Sequence, residues 1–70
     1  MREEIANNVQ REREKNKLTQ QDFAEALGVT RQTIISLEKG NYTPSVLLAL
    51  KIAQHFRLPV EKLFSIVYKK

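Results

Sequence analysis

The chain has 70 residues, a mass of 8.1 kDa, no cysteine, one histidine and a formal net charge of +4. That length excludes a large enzyme fold, and the residue inventory excludes a disulfide framework or a thiolate metal site. With 41% hydrophobic and 29% charged residues, the composition is that of one small folded domain rather than a disordered chain. No apolar run approaches the roughly 18 residues of a membrane span, and no signal-peptide core follows Met1-Arg2-Glu3-Glu4, so the chain is expected in the cytoplasm. Five positive and four negative charges fall in residues 1–17, two and three in residues 18–40, and five and one in residues 41–70. The middle is therefore not polybasic. Attraction to phosphate is expected to be modest, and any specificity must come from placed side chains.

The spacing predicts five short helices. The first runs from about Arg2 to Lys15, with Ile5 and Val9 four apart on one face and basic residues near its C-terminus. The second opens on Thr19-Gln20-Gln21-Asp22, a capping box, with Leu18 and Phe23 as the hydrophobic staple. Phe23, Ala24 and Leu27 give its buried face and Gly28 ends it. Ala24 suits a close helix crossing, and is equally an ordinary helix former. The third helix starts at a Thr30 cap, with Val29 and Ile34 as its staple, and Gly40 closes it. Ile34, Leu37 and Glu38 fall on one side; Gln32, Ile35, Ser36 and Lys39 fall on the other. Two short helices joined through Leu27-Gly28-Val29 make a helix-turn-helix pattern.

Thr43 is expected to cap the fourth helix, with Pro44 at its first position. Leu48, Ile52 and Phe56 form its stripe, widened by Leu50 and Ala53. After Arg57-Leu58-Pro59, a fifth turn at Val60 to Phe64 adds Val60, Leu63 and Phe64 to the core. Ser65 to Tyr68 has a strand-like composition in a short tail, residues 65–70.

No nucleophile is paired with a base, the acids are scattered, and neither glycine has phosphate-loop spacing. An enzyme, a metal, a cofactor and a small-molecule ligand are not expected. His55 reads as a surface histidine near a helix end. The chemistry that stands out is the outer side of the third helix. Arg31 offers a fork for guanine O6 and N7, Gln32 can pair with adenine N6 and N7, and Ser36 lies one turn on. Ile35 could touch a thymine methyl or sugar, or be a tolerated exposed residue. Glu38, beside Ile34 and Leu37, needs a partner if buried, and Arg13 is the natural candidate; two unrelated surface charges are the alternative.

These residues resemble the phage-repressor and Cro-like, Xre-type helix-turn-helix family. The stretch that carries the likeness is Leu18-Thr19-Gln20-Gln21-Asp22-Phe23-Ala24-Glu25-Ala26-Leu27-Gly28-Val29-Thr30-Arg31-Gln32-Thr33-Ile34. Leu37-Glu38-Lys39-Gly40, Tyr42-Thr43-Pro44-Ser45 and Leu48 to Ala53 continue it. The resemblance covers residues 9–64 and implies an all-α, five-helix, lambda-repressor-like domain; residues 1–70 are read as that single domain with a short tail at 65–70. It would bind double-stranded DNA as a homodimer on a palindromic operator, as a transcriptional regulator and repressor. An antitoxin or protein-binding module on the same fold is the alternative.

By resemblance Arg31, Gln32 and Ser36 fall at base-reading positions, and Ile35, from its place on the same helix side, is set beside them. Thr19, Gln20, Lys39, Asn41 and Thr43 meet the sugar-phosphate backbone, and Arg13 and Glu38 form the internal ion pair. The chain departs from the family at Lys17 and Arg57, where glycine is usual, and at Glu12, where leucine is frequent. Lys17 would have to close its turn at positive φ. Leu47, off the stripe of the fourth helix, and Leu63, Ile66 and Tyr68 near the C-terminus are the candidate dimer contacts, with pairing of two tails as strands one form of it; a tail folded back on its own bundle, or frayed, is the alternative.

Overall fold

A computed structural model describes residues 2–70. The order of elements is β1 (Arg2–Asn7), α1 (Val9–Lys15), α2 (Gln20–Leu27), α3 (Arg31–Glu38), α4 (Val46–Phe56), a 3₁₀ turn (Val60–Lys62) and β2 (Phe64–Lys69). The fold is mixed α/β, which corrects the all-α, five-helix expectation. Four α-helices among the described residues carry a two-stranded antiparallel sheet made from the two ends of the chain.

The first correction is at the N-terminus. Arg2 to Asn7 contains good helix formers, yet it is a strand paired with β2, in register Ile5 opposite Ile66 and Asn7 opposite Phe64. Propensity is a weak prior, and a tail of Ile66, Val67 and Tyr68 needs a strand partner for its backbone groups. The helix boundary is set by Asn7, whose side-chain oxygen accepts the Val9 N–H at 3.1 Å. Ile5 and Val9 therefore share no helix face. Val9 is in the core, while Ile5 lies on the sheet and stays exposed.

The second correction is the fifth helix, which shrinks to the 3₁₀ turn, with Phe64 already in β2. The third is a cap. Ser45, not Thr43, accepts the Leu48 N–H, at 3.1 Å, so Pro44 lies outside α4. The shift still turns Leu48, Ile52 and Ala53 inward, but Leu50 remains 48% exposed and does not widen the stripe.

The other local signals have the expected geometry. Thr19 accepts from the Asp22 N–H at 3.0 Å and Thr30 from the Thr33 N–H at 3.2 Å. Gly28 ends α2 at φ 74, a conformation glycine adopts without steric cost. Lys17 and Arg57 reach similar values, φ 58 and φ 57, with a Cβ present.

The core gathers Val9 from α1, Phe23, Ala24 and Leu27 from α2, Ile34 and Leu37 from α3, Leu48, Ile52 and Ala53 from α4, and Leu63. Each large apolar side chain fully buried there is worth about 1.5–3 kcal/mol. Phe23 stacks on Phe56 at 5.2 Å between ring centroids, and the exposed His55 meets Phe23 edge-on at 5.4 Å.

Candidate nucleic-acid interface

Helix α3 is held by its inner side. Ile34 and Leu37 are fully buried, and the turn from Gly28 to Thr30 sets α3 against α2. The Val29 N–H donates to the Ala24 carbonyl at 3.0 Å, and Lys51 of α4 donates to the Leu27 carbonyl at 3.2 Å, so the end of α2 is satisfied. Ala24 is itself fully buried in this packing.

A charged network fixes the two ends of the pair. Arg13 Nε donates to Glu38 Oε2 at 2.7 Å and Nη2 to Oε1 at 3.2 Å, while Nη1 donates to the Leu18 carbonyl at 2.7 Å. The two side chains are 9% and 3% exposed. The hydrogen bond to Glu38 raises the Arg13 pKa above its ordinary value, against the lowering effect of burial. Gln20 Nε2 donates to Glu38 Oε1 at 3.1 Å. One carboxylate thus ties together α1, the start of α2 and the end of α3. The bond to the Leu18 carbonyl and the Gln20 link were not apparent in the sequence, where Arg13 and Glu38 alone stood out.

The outer side of α3 is open. Arg31 and Gln32 are exposed, and Ile35 and Ser36 are half-buried. Gln32 Nε2 donates to Ser36 Oγ at 3.3 Å across one helical turn, which leaves its amide oxygen and second N–H free. Thr19, at the N-terminus of α2, is exposed, and its hydroxyl can still donate after accepting from Asp22. Gln20 is half-buried, with one amide hydrogen committed to Glu38. Lys39, Asn41 and Thr43 are exposed in the segment that follows α3, where the Asn41 N–H donates to the Ser36 carbonyl at 2.9 Å.

The helix-turn-helix family profile matches residues 9–63. The chain belongs to this Xre-type family of DNA-binding transcriptional regulators. An uncharacterized HTH-type transcriptional regulator of Methanocaldococcus jannaschii is 57% identical over 47 residues, covering 67% of this chain and 71% of that protein. Another from Bacillus subtilis is 50% identical over 46 residues, covering 66% and 70%. A third from Archaeoglobus fulgidus is 50% identical over 52 residues, covering 74% of each. The crystal structure of a Bacteroides fragilis protein superposes with a TM-score of 0.78 over 87% of this chain and 98% of that one. At 20% identity that likeness speaks to the fold. The family is a regulatory, non-catalytic class. No helix of the described residues is long and apolar enough to cross a membrane.

The expected dimer contacts divide. Leu47 is 66% and Ile66 56% exposed, and Tyr68 is exposed with them. Leu63 is 1% exposed and belongs to the protomer's own core, so it is removed from the candidate contact. Two residues join the surface that the sequence did not mark. Ile5 shares the Ile66 face of the sheet, since directly opposed residues point the same way. Tyr42 lines both an open groove of about 610 Å³ against Ile5, Phe64 and Ile66 and a shallower hollow that ends at Leu47. Pairing of Ile5 with Ile66 is set by contacts 61 residues apart in the chain, a distance over which no local pattern operates.

Proposed function

We propose that the protein is a repressor that binds a palindromic operator as a homodimer, with α3 of each copy in the major groove. The observation that carries this reading is the open side of α3: Arg31 and Gln32 are exposed while the same helix is fixed from behind by Ile34, Leu37 and the Glu38 network. A rigid helix presenting an exposed guanidinium fork, and an amide whose oxygen and second N–H are open, suits base edges, where each bidentate contact is worth about 1–3 kcal/mol of discrimination. Arg31 addresses guanine, Gln32 adenine, Ser36 an adjacent base edge, and Ile35 a thymine methyl or a sugar. Thr19, Gln20, Lys39, Asn41 and Thr43 hold the backbone, positioning without specifying.

The dimer uses the apolar surface of Ile5, Ile66, Tyr68, Tyr42 and Leu47. A two-stranded sheet is marginal alone and needs something against its face. One short helix also reads too few bases for a selective site. A two-fold pair sets two α3 helices about 34–36 Å apart, in successive major grooves. Selection of bound duplexes from a random pool tests the whole reading. The expected product is two inverted half-sites centred about 10–10.5 base pairs apart. Recovery of single, unpaired sites would remove the palindrome, and recovery of no sequence at all would remove base reading.

A further inference from the structure

Asn7 is the last residue of β1 and lies outside the stretch matched by the family profile. Its side chain makes two bonds in different directions. The amide oxygen accepts the Val9 N–H at 3.1 Å, which starts α1. The amide nitrogen donates to the Leu37 carbonyl at 3.0 Å, thirty residues away, at the C-terminal turn of α3. That carbonyl also accepts the Gly40 N–H at 3.0 Å, so both its lone pairs are engaged. Beside this point the root of the sheet is pinned, by the Asn7–Phe64 pairing and by the Asn8 N–H donating to the Leu63 carbonyl at 3.1 Å. Besides the packing of Phe64 against the core, the sheet therefore reaches the reading helix by a hydrogen bond from the Asn7 side chain. The groove that Asn7 helps to line separates the rest of the sheet face from the segment Gly40 to Pro44.

We infer that Asn7 is a positioning residue that transmits the seating of the paired sheets to α3 and so sets the spacing between half-sites. The inference rests on the proposed homodimer through the sheet face. If the sheets of two copies are locked together, the angle between sheet and α3 decides where the second α3 falls. One base pair of spacer moves a half-site by about 3.4 Å and about a tenth of a turn. A loose joint tolerates that change; a joint closed by Asn7 does not.

The chemistry of Asn7 allows its two bonds to be separated. Asn7→Asp keeps an oxygen for the Val9 N–H and loses the donor to Leu37. Asn7→Ser does the same with a short hydroxyl that cannot span to α3, and serves if the carboxylate impairs folding. The experiment measures affinity for duplexes carrying two selected half-sites with the spacer changed by one base pair either way, and for one half-site alone. The wild type is expected to prefer one spacer by about tenfold, and the variants by only about two- to threefold, the loss that one hydrogen bond can supply. Affinity for the single half-site should stay within about twofold, which a general weakening of α3 would not allow. Variants that keep the wild-type spacer preference overturn the role of Asn7 and leave the dimer standing. A wild type that ignores spacing and binds one half-site as tightly as two overturns the dimer, and this inference with it.

Discussion

The helical body, residues 9–63, and the sheet that joins residues 2–7 to 64–69 are held by different forces. The body closes over a core whose members are nearly all inaccessible, and a buried carboxylate ties three of its helices. The sheet is held by backbone pairing, by Phe64 and Asn7 at its root, and by exposed ion pairs, Arg2–Glu4 at 2.8 Å and Lys69–Glu4 at 3.8 Å, which contribute little in water. It keeps Ile5, Ile66 and Tyr68 on the surface. The body has a core of its own, whereas a two-stranded sheet alone is marginal in water. The sheet, with Tyr42 and Leu47 of the body beside it, leaves apolar residues unburied and gains from a second copy, whereas the core of the body is already closed. The division predicts that damage to the buried body is read in stability and damage to the exposed sheet face in assembly.

The largest expected effect is therefore in the body. Glu38→Ala leaves the Arg13 guanidinium buried without its partner and should cost about 3–5 kcal/mol, enough to unfold most molecules of a domain this small. Thermal or urea unfolding measures it. Because the Arg13 pKa is raised, its share of this stability is complete below the ordinary arginine value and is lost only as pH rises through the higher folded one. That window lies at the alkaline extreme, so this group should add no pH dependence between about pH 5 and 9. A loss below about 1 kcal/mol for Glu38→Ala would mean that the network is not what ties the body.

Next comes the open side of α3, where Arg31 and Gln32 are exposed. Arg31→Ala should lose about 1–3 kcal/mol of affinity on the selected site and almost nothing on random duplex. Lys39→Ala should weaken both alike and lower the salt slope by about one. Equal loss on specific and random DNA for Arg31→Ala would reject its base-reading role.

The sheet should respond in the opposite way. Ile66→Asp removes one exposed cross-strand partner and should change protomer stability by less than about 1 kcal/mol. Yet it places a charge on the proposed contact, so sedimentation at micromolar concentration should show the mass fall from dimer to monomer. A monomeric mass for the unaltered chain would reject the contact, and a dimer that survives Ile66→Asp would move it elsewhere.

The same division explains what the sequence revealed. The body was legible where signals are local: Thr19 and Thr30 announce helix starts within three residues, and Gly28 an end within one. The pairing of Arg13 with Glu38 was within reach because a carboxylate next to Ile34 and Leu37 demands a partner. The N-terminal strand was hidden because Arg2 to Asn7 has helical composition and its strand partner lies at the far end of the chain. The Asn7-Asn8 pair before Val9 was the available signal against one continuous helix, since asparagine favours caps over helix interiors. Leu63 is expected both in the core and at the dimer contact, and the structure keeps only the first. Once Phe64 is a strand residue bonded across to Asn7, the residue before it is drawn into the core.

The smallest effect tests whether strain in the body is separable from its function. Lys17 sits at φ 58 in the turn between α1 and α2, immediately before the carbonyl of Leu18 that Arg13 holds. A side chain in that conformation costs about 1–2 kcal/mol, and glycine costs none. Glycine also enlarges the freedom of the unfolded chain by about 0.5–1 kcal/mol, so the net gain for Lys17→Gly is about 0.5 kcal/mol. In a domain of this size that raises the melting temperature by about 2–4 °C. Lys17 is remote in sequence from α3 and from both strands, so affinity for the selected site and the mass in sedimentation should not change. A fall in melting temperature would show that the Lys17 side chain contributes more than its backbone costs, and would put the turn among the interactions that hold the body together.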